Sequence, residues 1–151
     1  MHSLVRRYIK TAILFLGIGL VIGVKMIFER DVMRRVPDVY ETSAHTHALL
    51  VGFVMMMILG VALWLFPRGG SEGRRYDPQL ALVAYWLLTA GTALRVGGEL
   101  IESSRSVAWL GWTVVVASLA QAAGIAMFFF TMWPRIRSAG SHVREAKGER
   151  F

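Results

Sequence analysis

Apolar residues in this chain gather in blocks instead of alternating with polar ones, as they would on the faces of a soluble amphipathic domain. Four such blocks are separated by charged or turn-forming residues. A hydrocarbon core of roughly 30 Å needs about 20 apolar residues in helical form. The pattern therefore predicts an all-α, integral membrane four-helix bundle in a single transmembrane domain, residues 1–151. Its spans fall at about 11–28, 37–66, 80–98 and 107–133, with a basic tail at 135–151. Local signals mark the span ends. Val36-Pro37 breaks the first connector, and Pro37 suits the first position of a helix, with Thr42 or Ser43 as later N-cap alternatives. Asp77-Pro78 is an N-cap and first-turn pair, Ser106 caps the fourth span, and Pro67 and Pro134 close the second and fourth.

Charge then orients the bundle. Of the 17 Lys and Arg residues, eleven lie in the N-terminal tail, the Arg68–Gln79 loop and the C-terminal tail, and four (Arg30, Arg34, Arg35 and Arg105) lie on the other side. Basic loops stay cytoplasmic, so both termini are expected in the cytoplasm. Trp64 and Trp133 then mark the inner interface, and Trp109 and Trp112 the outer one. The net charge of +7 and pI near 10.6 follow from this distribution. The expected partner is the lipid bilayer and not nucleic acid. The first block has no small-residue cleavage site and runs straight into Lys25 and a charged loop, unlike a cleavable signal peptide.

The chain has no cysteine, which excludes disulfides, zinc ribbons and covalently attached c-type heme. Any cofactor chemistry must rest on histidine, the commonest metal ligand. There are four. His2 and His142 lie in polar tails, whereas His45 and His47 stand at the entrance of the second span, where an ionisable residue is a functional-site hypothesis by default. Positions i and i+2 on a helix point about 200° apart, so the two imidazoles do not suit one metal ion. One is expected to face the bundle and the other a second cofactor or protomer. Lys25, Arg30, Arg95 and Glu99 belong to the same outer level. Heme needs an axial imidazole, an apolar slot and cations for its propionates. His45 supplies the first, and Arg30, Arg34, Arg35 and Arg95 are candidates for the last, because guanidinium forks match carboxylates. A bare metal site and interfacial histidines bonded only to neighbours remain as alternatives. Met55, Met56 and Met57 read as packing, Gln121 as an interhelical hydrogen-bonding residue, and Glu99 and Glu102 as solvated rim residues.

Ala44-His45-Thr46-His47-Ala48-Leu49-Leu50-Val51-Gly52-Phe53, continuing to Gly60 and Leu65-Phe66-Pro67, resembles the second helix of subunit I of heme-copper oxidases and nitric oxide reductases. It is more similar still to small four-span bacterial proteins that look like a fragment of that subunit, whose last helix Phe128–Trp133 also resembles. The resemblance implies that His45 is an axial ligand of a low-spin heme near the outer face, the face to which charge assigns it. The copper and second-heme histidines of the large subunit sit on later helices, and this chain has none in its third or fourth span. Oxygen or nitric oxide reduction by that mechanism is therefore not expected. A second ligand opposite His45 is left open between Met26 or Met33, His47 or another residue of a neighbouring protomer, and none. The expectation is a b-type heme protein, a homodimer or homotrimer, that binds a diatomic gas (nitric oxide or oxygen) or passes electrons. The rival is a copper-handling, assembly or structural partner of a respiratory complex without heme.

Overall fold

A computed structural model describes residues 3–66, 77–105, 107–136 and 148. Within them, four helices are long and apolar enough to cross a membrane. They are α1 (Ser3–Asp31), α2 (Val39–Leu65), α3 (Pro78–Glu102) and α4 (Ala108–Met132), the last followed by a 3₁₀ turn at Trp133–Arg135. The helices outrun the apolar blocks. In α1 the basic residues Arg6, Arg7 and Lys10 continue the helix beyond the span, because backbone hydrogen bonding does not stop where apolar side chains do.

The four run up and down with one end held by aromatic packing. The Tyr8 ring of α1 meets Tyr85 of α3 edge-on at 5.0 Å and Phe128 of α4 at 5.8 Å. Val5, Tyr8, Phe15, Met56, Leu59, Leu63, Leu88, Phe128 and Met132 form a continuous core at this end. Met56 is fully enclosed there, with Met55 and Met57 packed against the cluster. The start of α1, the end of α2, the start of α3 and the end of α4 thus share one side of the bundle. Arg135 locks them: its guanidinium, 3% exposed, donates to the carbonyls of Leu63 (3.3 Å) and Phe66. The last carbonyls of α2 would otherwise lack partners.

Helices α3 and α4 pack most intimately. A Cβ on Gly91 would lie 2.8 Å from the Ala117 carbonyl oxygen and 3.0 Å from the Gln121 nitrogen. Glycine here lets two backbones touch, the usual means of close packing in lipid. Gly91→Val is expected to push α4 away and cost about 2 kcal/mol or more, read as an early thermal transition in detergent. Between these helices Gln121 donates to Thr92 Oγ1 at 3.0 Å and accepts from Arg95 at 3.5 Å, the interhelical role expected of it.

At the opposite end α1 turns into α2. Arg34 has a φ of 56°, uncommon for a residue other than glycine, and the Arg35 N–H returns to the Glu29 carbonyl at 3.0 Å. The N-cap of α2 is Asp38, whose carboxylate accepts from the Tyr40 N–H at 2.8 Å, so Pro37 precedes the cap and neither Thr42 nor Ser43 serves as one. Asp77 caps α3 as its sequence predicts, accepting from Gln79 N–H at 2.8 Å. The expected Ser106 cap lies outside the described residues; Val107 holds the N-cap position of α4 without a side-chain bond. Lys25 does not simply reach for water: it pairs with Glu29 at 3.1 Å and with Glu41, which is 3% exposed.

The middle of α2 departs from α geometry. Val39–His47 and Met56–Leu65 are α-helical, but Ala48–Met55 is π-helical. Such segments are rare and occur frequently at functional sites. This one begins at the residue after His47.

Candidate functional site

His45 projects from the first two turns of α2 toward α1. Its Nδ1 lies 2.9 Å from the Gly19 carbonyl oxygen. A carbonyl only accepts, so Nδ1 is the donor here, and in the neutral ring Nε2 is then the nitrogen that bears the lone pair. One turn further along α1, a Cβ on Gly23 would stand 2.8 Å from His45 Cε1. The imidazole thus lies on a glycine floor, with one nitrogen tied to backbone and the other available. Metal-bound histidines are held in this way, by a carbonyl or carboxylate on the second nitrogen. Gly23→Val is expected to tilt the ring off this seat and weaken any ligand held by Nε2 by roughly tenfold or more, measurable by titration against the wild-type protein.

Beside the ring is a cavity of about 420 Å³, within the range of roughly 300–1,000 Å³ usual for ligand sites. Leu20, Val24, Ile27 and Leu49 make its walls apolar, Met26 offers a thioether, Arg30 stands at the rim and Pro37 closes one side. Every wall comes from α1, the connector or α2. The cavity is therefore a groove on the outside of the bundle, and Leu20, Val24 and Ile27 are more than half exposed along it.

His47 points elsewhere, as the i, i+2 spacing predicts. Its Nδ1 donates to the Ser43 carbonyl at 2.8 Å and stands 3.8 Å from Glu99 Oε2 of α3. It borders a smaller groove of about 390 Å³ with Thr42, Ser43 and Thr46. Glu99, 3% exposed, accepts from Ser43 Oγ at 2.8 Å and from Arg95 Nε at 3.1 Å. Thus Glu99 is a buried organising residue and not a solvated rim group.

Of the residues singled out from sequence, His45, Met26 and Arg30 share one cavity. Arg30 is also forked onto Asp31 at 2.8 and 3.2 Å. Arg34, Arg35 and Met33 are exposed on the adjoining connector. Arg95 faces Glu99 and Gln121 and is not brought to the His45 cavity. By sequence Gly19 and Gly23 are small residues that let membrane helices approach; that they seat His45 is shown only by the fold. Among the described residues, no three His, Asp or Glu side chains are grouped to hold a metal ion.

Fold and site together define a class: an all-α membrane protein that presents one oriented imidazole to an apolar groove. Residues 3–146 match the family described as cytochrome C and quinol oxidase polypeptide I. The chain belongs to that family. No curated protein and no solved structure matches it.

Proposed function

We propose that the protein binds heme b in the groove between α1 and α2, with His45 Nε2 as axial ligand, and carries electrons in a bacterial inner membrane. The observation that carries this reading is the His45 imidazole, fixed by Gly19 through Nδ1 and open at Nε2 beside an apolar cavity. The residues suit the group: a neutral imidazole for the iron, aliphatic walls for the ring, and Arg30 at the rim, with Arg34 and Arg35 on the adjoining connector, for the propionates. When bound, heme b supplies a reversible one-electron couple whose potential the protein sets through ligands, hydrogen bonds and burial. His45 holds and orients, Gly19 keeps the imidazole in the coordinating tautomer, and the aliphatic walls exclude water. Charge distribution supports cytoplasmic termini, which put His45 at the outer end.

A second reading, binding of nitric oxide or oxygen, is favoured by one observation: the cavity offers a single imidazole, which leaves an axial position to be filled. The test is an absorption spectrum of the detergent-purified full chain after reconstitution with heme b, oxidised, reduced, and reduced with nitric oxide. A Soret band indifferent to the gas supports electron transfer, and one that shifts with it supports gas binding. No heme band would overturn both.

A further inference from the structure

The groove around His45 is built for one face of a flat, two-sided ligand. All of its walls belong to α1, the connector and α2, and its rim residues Leu20, Val24 and Ile27 face away from the bundle. A heme seated there would turn its second axial position and one whole ring face toward lipid, which has no nitrogen to offer. Nor do the described residues offer another imidazole for that side, since His47 is committed to the face toward α3.

Resting on the heme reading above, we propose that a second copy of this chain completes the site, so that one heme is shared between His45 and the partner's His45. Three features favour this occupant over bare lipid. An iron has two axial positions and each chain presents one imidazole, which selects two copies and not three. Heme carries two propionates on one edge, and each chain brings one Arg30 to the rim. Beyond the cavity the exposed side of α1 continues as an apolar strip, with Ile13 and Leu14 exposed and Gly17 beside them, where nothing lies within 4 Å. Small residues at such a position let membrane helices approach.

Symmetry fits the chemistry. All copies of a membrane protein insert with one orientation, so a twofold axis relating two of them runs along the membrane normal. The two His45 residues then stand at equal depth, facing each other across the axis, and the two Arg30 residues lie at the same edge. Met26 lines the cavity wall and becomes a packing neighbour of the ring.

The experiment is a titration of ferric heme b into the purified full chain, read by heme-to-chain ratio, ligation spectrum and particle mass from light scattering. The expected result is saturation at one heme per two chains, a six-coordinate bis-imidazole low-spin spectrum, and a dimer. One heme per chain on a monomer, a histidine–methionine spectrum, or a trimer would overturn the shared site while leaving the heme reading intact. No binding at all would overturn the heme reading, and this inference with it. A mixed dimer of differently tagged wild-type and His45→Ala chains supplies the decisive variant. It is expected to lose the six-coordinate spectrum and bind heme roughly tenfold or more weakly, a difference of about 1.4 kcal/mol. Retention of the wild-type spectrum in the mixed dimer would exclude the partner's His45 as ligand.

Discussion

His45→Ala is expected to yield a folded, membrane-inserted protein that no longer retains heme. The two halves of that outcome have separate causes. In the fold, the half-buried ring makes one hydrogen bond, to the Gly19 carbonyl. Losing such a bond costs about 1 kcal/mol. The core that joins the helices, around Tyr8, Met56 and Phe128, lies at the other end of the bundle and is untouched. In the site, nothing replaces the lone pair of Nε2. Loss of even an outer partner of a metal-bound imidazole typically lowers affinity by roughly 10–100-fold, so loss of the ligand itself should exceed roughly 100-fold. Heme content per chain and far-ultraviolet circular dichroism, measured on one preparation, check both halves. Full heme content in the variant would refute the ligand assignment.

Glu99→Ala is expected to be the most destabilising single change at the histidine-bearing end of the bundle. Glu99 supplies the counter-charge for Arg95 and receives the Ser43 hydroxyl through the same oxygen, Oε1. Without it, Arg95 keeps only the Gln121 carbonyl oxygen, at 3.5 Å. Removing one partner of a buried ion pair strands the other charge and costs about 3–5 kcal/mol. Since the Arg95 side chain is 23% exposed, the lower part of that range applies, about 3 kcal/mol. Replacing both partners removes the stranded charge, so Arg95→Leu with Glu99→Leu should be markedly milder than Glu99→Ala alone. Unfolding in mixed micelles separates these variants. Equal losses in the single and double variants would show that the carboxylate acts by something other than pairing.

The four helices were legible because each buries a long apolar block in lipid, and such blocks need no tertiary information to be recognised. Their ends were less so. Asp38 outcompetes Thr42 and Ser43 as N-cap, a choice made by connector geometry around Arg34 that composition does not encode. The divergence of His45 and His47 followed from helical periodicity alone. What periodicity could not supply was the identity of the neighbour: that His45 would rest on Gly19 and Gly23, or that Glu99 would be sealed between Ser43 and Arg95. Nor does periodicity show that Lys25, at the end of its apolar block, meets Glu41 of α2. Each of these depends on which faces of two distant segments come together, and a hydropathy pattern is blind to rotation about the helix axis. The buried Arg135 is the same case at the other end, a tail residue by sequence that caps another helix in the fold.

The π-helical segment at Ala48–Met55 acts as a phase shifter. An α-helix advances about 100° per residue, and a wider turn takes up residues without that full advance. The N-terminal part of α2, which bears the histidines, and the C-terminal part, which bears Met56, Leu59 and Leu63 in the core, are therefore out of step with a continuous α-helix. If the segment were rewound as α-helix at unchanged length, the core contacts of the C-terminal part would hold it still. The histidine-bearing part would then rotate by about 100°, carrying His45 off its glycine seat. The azimuth of the candidate ligand is thus set by the winding of a stretch that never touches the cavity beyond Leu49.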